Sequence, residues 1–402
     1  MSRFDEYFLM KEADVIDYVR EKIQHLFSDE ELLCKEIGDG NINYIYKVFT
    51  PNNSKSIIIK QSGPYCRVSE DFPLSQDRNR IEYEILKLQA SFEPEMVPTV
   101  YNYDSNMFCT AMEDLSDHQI LRHALLEGKT FPKFADHISS FMVKTLMSTT
   151  DAVMGHKEKK ELVASFINPG PCEISEELVY TEPFNDIRNR NHLFLANTSW
   201  INENIYNDDE LKLETAKLKF DFMTKTQALI HGDLHTGSIF VKEDSTKVID
   251  PEFAFFGPIG FDVGNVIANL FFAWANADAN SKTNVRDWCE RTIVDVVDLF
   301  IRKWSITWNE NVTETVTKYP GFSEWYLDGI LSDTAGVAGL ETARRISGFA
   351  KVEDIKSIQN EHKRIRAERI CLMTAKSLIL NRNQVKIGKD YLDIILNFEK
   401  DF

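Results

Sequence analysis

The sequence predicts an α+β protein with two lobes, a small β-rich lobe followed by a large helical lobe. From Leu32 to Met112 the chain consists of short β-branched runs with one helical segment among them. After Ser116 the apolar residues recur mostly at helical spacing over long stretches. A chain of 402 residues is also long enough for two or three domains.

The elements of the first lobe follow from local patterns. Apolar residues at helical spacing mark the first segment, and turn signals rich in Gly, Pro and Asn separate the segments that follow. After the first helix the order is three strands, a helix and two strands, which predicts a five-stranded sheet with one main helix. The predicted segments are Ala13–Phe27 (helix), Leu32–Ile37, Ile42–Phe49 and Ser56–Lys60 (strands), Arg80–Ala90 (helix), and Thr99–Tyr103 and Met107–Met112 (strands).

The second lobe is predicted to be mostly helical. Its longest apolar run, Val266–Ala275, is too short to cross a bilayer and contains Asn269, so it predicts a buried helix. One compact stretch, Leu229–Gly264, reads as short strands and turns. Helices are predicted at Phe131–Thr150, Glu210–Thr226, Asp262–Ala275, Asn284–Lys303, Phe322–Ile346, Arg364–Leu380 and Lys389–Phe398.

Composition narrows the classes of function. The chain has 46 Lys and Arg against 63 Asp and Glu, a net charge of −17, which argues against binding nucleic acid or an anionic membrane. The six cysteines are scattered without metal-ligand spacing, so we expect neither a disulfide framework nor a zinc site. Residues 1–20 lack the apolar core of a signal peptide. These features predict a cytoplasmic protein.

Two carboxylates follow short apolar strands in the second lobe. Asp233 lies in the string LIHGDLHTGSIF at 229–240, and Asp250 lies in VIDPE at 248–252. A hairpin between them would bring both into one cleft. In phosphoryl transfer one Asp accepts the proton of the attacking hydroxyl, and a second carboxylate holds Mg²⁺ on the phosphates. We therefore predict Asp233 as the catalytic base and Asp250 as a metal ligand, although each alone would read as a turn aspartate.

The strings around these carboxylates resemble the catalytic loop of the aminoglycoside-phosphotransferase branch of the protein-kinase-like fold. GDLHTGSI at 232–239, DPEFAF at 250–255, GDGNIN at 38–43 and ARRI at 343–346 resemble one family in that branch, the S-methyl-5-thioribose kinases. The resemblance covers essentially the whole chain. It implies a bilobal protein-kinase-like fold with a nucleotide-binding lobe over 1–112, a hinge at 113–116 and a catalytic and substrate lobe over 117–402. It also implies a homodimer.

The resemblance implies a specific reaction. ATP, with Mg²⁺, would phosphorylate the anomeric 1-hydroxyl of 5-methylthioribose, giving 5-methylthioribose 1-phosphate and ADP in methionine salvage. Ser238 stands where most kinases have a metal-binding Asn, and Asp250-Pro251-Glu252 stands where they have Asp-Phe-Gly. The Asp-x-Glu pattern is the norm in the resembled family. We therefore expect Asp250 and Glu252 to bind the metal, with Ser238 as a poorer oxygen ligand.

Nucleotide binding is predicted in the first lobe. Gly38, Gly40 and Asn41 form a turn whose backbone N–H groups can approach phosphate oxygens, although two glycines make a weak pattern. Lys60 would pair with the phosphates and be fixed by Glu82 on the following helix. The register of that helix favours Glu82 over Glu84.

Adenine is expected at the hinge. Glu113, Asp114 and Leu115 follow the last strand of the first lobe, where the backbone of a kinase-like chain binds the base. The residue types there are weak signals, and the resemblance carries this prediction.

The substrate side is predicted from the resemblance. Phe72 replaces a Trp that closes over the sugar in the family, which keeps a ring but loses an N–H donor. Arg344 and Arg345 are assigned to the sugar hydroxyls, with Arg344 favoured as the contact because adjacent helical residues point about 100° apart. Asp262 is expected to accept hydrogen bonds from the catalytic loop and to cap its helix. His231 and His235 are interpreted as loop-packing residues.

Two alternatives remain open at this level. A kinase of the same fold could act on an aminoglycoside, choline or another sugar, which the DPE string and the arginine pair argue against. A kinase-like binding protein without catalysis is suggested only by Ser238.

Overall fold

The first lobe is a five-stranded antiparallel sheet, as predicted. A computed structural model describes residues 2–27, 30–38, 42–66 and 69–402, with backbone alone at 66 and 69–73. The strand order in the sheet is β1-β2-β3-β7-β6. The elements of this lobe are α1 (Glu12–Lys22), α2 (Gln24–Phe27), β1 (Leu33–Ile37), β2 (Tyr44–Phe49), β3 (Ser56–Gln61), β4 (Tyr65–Cys66), β5 (Ser69–Pro73), α3 (Arg78–Phe92), β6 (Val100–Asp104) and β7 (Cys109–Glu113).

Two local expectations for this lobe were wrong. The predicted first helix is broken at Ile23, where the backbone leaves helical geometry (φ −129°, ψ 23°). No strand was predicted between Ser56–Lys60 and Arg80–Ala90, yet the stretch from Gly63 to Asp77 contains the two-stranded ladder β4–β5. The sequence pattern missed the ladder because β4 has only two residues and β5, with the sequence SEDFP, has no β-branched residue.

The second lobe is helical around a small group of strands. Residues 119–120 pair with the hairpin that follows the HGDLH string, and together they form a three-stranded sheet. Its elements are β8 (Gln119–Ile120), α4 (Leu121–Leu126), α5 (Phe134–Ser148), α6 (His156–Ser165), α7 (Pro169–Leu178), α8 (Thr198–Ile201), α9 (Asp209–Thr224), β9 (Ala228–Ile230), β10 (Ile239–Lys242), β11 (Ser245–Val248), β12 (Phe255–Gly257), α10 (Gly260–Ala279), α11 (Thr283–Asn311), α12 (Phe322–Ser347), α13 (Glu353–Lys356), α14 (Glu361–Leu380) and α15 (Gly388–Asp401).

The core of the second lobe is centred on α10. Nearly every residue of this helix is buried, and it packs against α11, α12 and α14. The apolar run at Val266–Ala275 is therefore a buried helix, as predicted. In the described part of the chain, no helix is both long and apolar enough to span a bilayer.

Helix ends differ from the sequence expectations by a few residues. The largest difference is α11, which runs to Asn311, eight residues past the predicted end. Asp262 was expected as a helix cap, but α10 begins at Gly260, so Asp262 lies inside the first turn. Helices α4, α6, α7, α8 and α13 were not predicted; none has more than 10 residues, which is shorter than the window of about 11 residues over which an apolar stripe is read.

Candidate active site

A tight loop after β9 carries the predicted catalytic base. Gly232 has a φ of +82°, and a Cβ at this position would lie 2.3 Å from the carbonyl oxygen of Phe253. Asp262 accepts hydrogen bonds from the backbone N–H groups of His231 (2.7 Å) and Gly232 (3.0 Å). The buried Asp262 carboxylate thus supports the loop, as its sequence position predicts. The loop presents Asp233 at the mouth of the lobe, where its side chain is 27% exposed.

The Asp233 carboxylate lies between a histidine and an arginine. Its Oδ2 is 3.4 Å from His235 Nε2, and its Oδ1 is 3.6 Å from Arg344 Nη2. Burial acts to raise the pKa of Asp233, but His235, Arg344 and Arg345 outweigh it and hold the pKa below its ordinary value. The side chain is therefore a carboxylate that can accept a hydrogen bond from a substrate hydroxyl.

His235 has a defined tautomer. Its Nδ1 accepts hydrogen bonds from the backbone N–H groups of Gly237 (2.9 Å) and Ser238 (3.1 Å). Nδ1 therefore carries no proton, and the neutral ring has its hydrogen on Nε2, facing Asp233. Burial lowers the pKa of His235 and favours this neutral form. His235 is thus a donor that orients the carboxylate, a role beyond the loop packing expected from the sequence.

Lys60 joins the two lobes through carboxylates. Its ammonium lies 2.8 Å from each oxygen of Glu82 and also contacts Oδ1 of Asp250. Lys60 and Glu82 are almost fully buried. Burial acts to lower the pKa of Lys60, but Asp250, Glu82 and Glu252 raise it, so the side chain stays protonated. Three groups predicted for the phosphate site therefore meet at the Lys60 ammonium: Lys60 itself, Glu82 on α3 and Asp250 after β11.

Glu252 is held by two residues of the first lobe. Its Oε2 accepts a hydrogen bond from Asn43 Nδ2 (2.8 Å) and lies 3.2 Å from Arg78 Nε. Asn168 binds its backbone carbonyl at 2.8 Å. Burial raises the pKa of Glu252, and Lys60 and Arg78 act against it. Because these contacts with described side chains fall on Oε2, we expect Oε1 to be the oxygen that faces a cation.

The predicted metal ligands, Asp250 and Glu252, suit a Mg²⁺ ion that is also bound by the phosphates of a nucleotide. In the described residues, no group of three His, Cys, Asp or Glu side chains forms a metal cluster. Mg²⁺ commonly takes one or two protein carboxylates together with phosphate oxygens and water, so Asp250 and Glu252 form a suitable donor pair. Pro251, between them, accepts a turn hydrogen bond from Ala254 N (3.1 Å). The buried Ser238 hydroxyl donates to the carbonyl oxygen of Asp233 (3.0 Å), so its hydrogen is used to close the loop that carries Asp233.

The hinge is tied to the sheet. Asp114 lies 2.7 Å from Lys47 Nζ and accepts a hydrogen bond from Ser56 Oγ at 2.6 Å. Glu113 N donates to Thr99 O (2.8 Å). The carbonyl of the next hinge residue, Leu115, accepts a turn hydrogen bond at 2.9 Å. The adenine contacts expected here stay a prediction.

The arginine pair lies beside Asp233 on α12. Arg344 approaches Asp233 with Nη2, as stated above, and Arg345 is held at Nε by Glu341 Oε1 (2.8 Å). Each arginine side chain is 12% exposed. The structure therefore places Arg344 within 3.6 Å of Asp233, and which arginine contacts the sugar stays a prediction.

Some predicted residues lie outside what the structure describes. Gly38 is a turn residue that directly follows β1, whereas Gly40 and Asn41 are outside the described residues. Phe72 lies in β5, but its side chain is not among those described. Their predicted roles stay predictions.

The structure adds residues that sequence reasoning missed. Asn43 and Arg78 hold Glu252 across the lobes, and no local pattern marks them, because Asn43 is 209 residues away from it. Glu341 had a usable signal: it precedes Arg344 and Arg345 by three and four residues, so all three share a helix face.

The chain is similar to known phosphotransferases. The phosphotransferase enzyme family model, APH, matches residues 164–287. The methylthioribose kinase of Geobacillus thermodenitrificans (strain NG80-2) is 42% identical, covering 93% of this chain and 94% of that protein. The methylthioribose kinase of Bacillus pumilus (strain SAFR-032) is 39% identical over 92% of each chain. Among solved structures, a Plasmodium vivax ethanolamine kinase has a TM-score of 0.49 at 14% identity, covering 90% of this chain and 87% of that one. At 42% identity over nearly the whole of both chains, this protein belongs to the methylthioribose kinase family.

Proposed function

We propose that this protein is an ATP-dependent kinase that phosphorylates the 1-hydroxyl of 5-methylthioribose. The products would be 5-methylthioribose 1-phosphate and ADP, in methionine salvage. The observation that carries the proposal is the Asp233 carboxylate, held deprotonated between His235 and Arg344. The relatives of the family are named for this sugar.

The chemistry assigned to Asp233 is proton acceptance. We infer that one carboxylate oxygen accepts the hydrogen of the 1-hydroxyl and orients its oxygen toward the γ-phosphorus of ATP. His235 holds the other oxygen, so the carboxylate has a fixed direction. Arg344 and Arg345 would bind the sugar hydroxyls, and Phe72 would cover the methylthio group.

The phosphate side is assigned to the junction of the lobes. We propose that Lys60, fixed by Glu82, neutralises phosphate charge, together with the backbone of Gly38, Gly40 and Asn41. Asp250 and Glu252 would hold Mg²⁺, which supplies charge neutralisation on the phosphates when bound. Pro251 shapes the turn between them. We propose Ser238 as a loop residue in place of the metal ligand expected from the sequence.

The adenine and domain assignments are also proposals. The backbone of Glu113, Asp114 and Leu115 would bind adenine, and the lobes would divide at 1–112, 113–116 and 117–402. The end of β7 at Glu113 and the pairing of β8 with β10 support this division. We further propose that the protein is a homodimer in the cytoplasm. We also propose that it binds neither nucleic acid nor membrane, because its net charge of −17 would repel these anionic partners.

The test is a parallel assay of acceptors. The purified protein would receive ATP and Mg²⁺ with 5-methylthioribose, choline or kanamycin, and phosphorus NMR would identify the product. We expect turnover with 5-methylthioribose alone, and a loss of about 10²- to 10⁴-fold in kcat for Asp233→Asn, with ATP binding retained. Turnover with choline or kanamycin alone would contradict the proposed acceptor. Full activity of Asp233→Asn would contradict the proposed base.

A further inference from the structure

Glu341 is a buried carboxylate that serves both arginines of the pair. It is 1% exposed, and it lies one helical turn before them on α12. Its Oε1 lies 2.8 Å from Arg345 Nε, and its Oε2 contacts Arg344 Nε. Adjacent helical side chains diverge by about 100°, yet a residue three and four positions earlier lies between them. One carboxylate therefore reaches two divergent guanidinium groups.

The mode of contact decides which arginine atoms remain for a substrate. Glu341 engages each guanidinium at Nε, which leaves the Nη1 and Nη2 atoms of both arginines outside this contact. Arg344 extends Nη2 to within 3.6 Å of Asp233. In the described part of the chain, the Nη atoms of Arg345 have no hydrogen-bond acceptor. Both arginines lie close enough to Asp233 to lower its pKa, so we expect these donors to serve a hydroxyl bound at Asp233.

The charges of this group depend on Glu341. Two neighbouring buried guanidinium groups repel each other, and burial together with Arg345 lowers the pKa of Arg344. Burial acts to raise the pKa of Glu341, but the two arginines hold it below its ordinary value, so it is ionised. Without this carboxylate, Asp233 would be the next negative charge acting on both arginines, and the buried Asp354 would act on Arg345 as well. The arginines would then bind the catalytic base instead of the acceptor.

The backbone under the pair is held separately. Ser347 Oγ donates to Pro183 O (2.9 Å), and the Tyr206 hydroxyl donates to Ser347 O (2.8 Å). The end of α12 is thus fixed by contacts that do not involve Glu341. Removing the Glu341 carboxylate should therefore change the directions of the Arg344 and Arg345 side chains and leave helix α12 in place.

We propose that Glu341 is the positioning residue of the acceptor site, holding Arg344 and Arg345 through Nε so that their Nη groups face a sugar hydroxyl at Asp233. The proposal rests on the proposed function, because the acceptor is taken to be a polyhydroxylated sugar. Glu341 does not touch the acceptor, and it acts through the arginines.

The variant Glu341→Gln tests this arrangement with little change in shape. An amide has one acceptor oxygen, and its NH₂ would face an arginine N–H. We expect the KM for 5-methylthioribose to rise about tenfold or more and kcat to fall, with the KM for ATP within about twofold of the wild type. Glu341→Asp keeps the charge on a shorter stem and should recover part of the loss.

A matched control is available on α14. Glu368 is equally buried and binds Arg364 Nε at 3.0 Å, four residues away, outside the site. Glu368→Gln should lower the melting temperature without changing the KM for the sugar. An equal change of sugar KM in Glu341→Gln and Glu368→Gln, or no change in Glu341→Gln, would overturn the proposal.

A crystal structure of the Glu341→Gln variant would show the positions of the two arginines directly, and this test does not depend on which acceptor the enzyme uses. We expect one or both guanidinium groups to leave their present positions, with Arg344 moving closer to Asp233. Unmoved guanidinium groups would overturn the positioning role. If Gln at 341 prevents folding, the same comparison is made with Glu341→Asp. If the wild type leaves 5-methylthioribose unchanged, the proposed function fails, and the crystal structures still decide the role of Glu341.

Discussion

The Lys60 ammonium lies 2.8 Å from the Glu82 carboxylate, and both groups are buried between the two lobes. The neighbouring acid of the same helix, Glu84, binds Arg80 on the outer face instead. The helical register had separated these two glutamates, because residues two apart point in different directions. The pair therefore links helix α3 to the strand that carries the lysine.

Breaking this pair should cost both stability and nucleotide binding. Glu82→Gln leaves the buried Lys60 with less countercharge, so we expect the free energy of unfolding to fall by about 3 kcal/mol. The KM for ATP should rise, because the lysine loses its fixed position. Urea denaturation and steady-state kinetics measure the two effects. Glu84→Gln is the control, and equal effects of both variants would contradict the prediction.

Gly232 should not tolerate a side chain. In Gly232→Ala the new Cβ would clash with the Phe253 carbonyl, in addition to the strain of a φ of +82°. We expect a loss of more than about 1 kcal/mol in the free energy of unfolding and a large loss of kcat. Gly128 has a φ of +92° with nothing within 4 Å of the added Cβ, so Gly128→Ala isolates the backbone strain. Equal effects in both variants would show that the clash does not matter.

The state of His235 should set the acid side of the pH profile. The ring must stay neutral for Nδ1 to accept its two backbone hydrogen bonds, and burial lowers its pKa below the ordinary value of about 6.5. Asp233 opposes this shift, and Arg122 and Arg345 add to it. We therefore expect kcat to fall at a pH below about 6.5.

His235 should also make the folded state less stable as the pH falls. A histidine whose pKa is lowered by folding stabilises the folded state above about pH 6.5, and this contribution is lost as the pH falls through the folded-state pKa. In His235→Gln the acid limb of kcat should disappear, and kcat at pH 8 should be lower than in the wild type. An unchanged acid limb in the variant would assign it to another group.

Glu252 should determine the requirement for magnesium. In Glu252→Gln one anionic ligand is lost, and we expect the Mg²⁺ concentration for half-maximal activity to rise about tenfold or more. The partner Arg78 would be left buried without its countercharge, so the free energy of unfolding should fall by about 3 kcal/mol. A magnesium titration of activity and urea denaturation check these outcomes. Glu368→Gln, which lies outside the site, should leave the magnesium requirement unchanged.

Short-range patterns account for what was predicted correctly. The order of strands and helices in the first lobe follows from turn residues and β-branched runs, and the burial of α10 follows from its apolar run. The partnership of Lys60 with Glu82 follows from helical register. The HGDLH and DPE strings each mark a carboxylate at the end of a strand, and a single short hairpin, Ile239–Val248, joins them. Interactions within one or two elements can be predicted from local sequence, because they do not depend on how the rest of the chain folds.

The remaining features depend on packing between distant segments. Asn43 and Arg78 reach Glu252 only because the first lobe packs on the turn after β11, and the three lie far apart in the sequence. The short β4–β5 ladder is also set by its surroundings, since β4 has only two residues and β5 lacks the β-branched residues that mark a strand. The sequence by itself determined the chemical groups of the site and their local elements. Only the tertiary structure decided that Glu341 would be buried between Arg344 and Arg345, because the neighbours of a helix face are set by the elements packed against it.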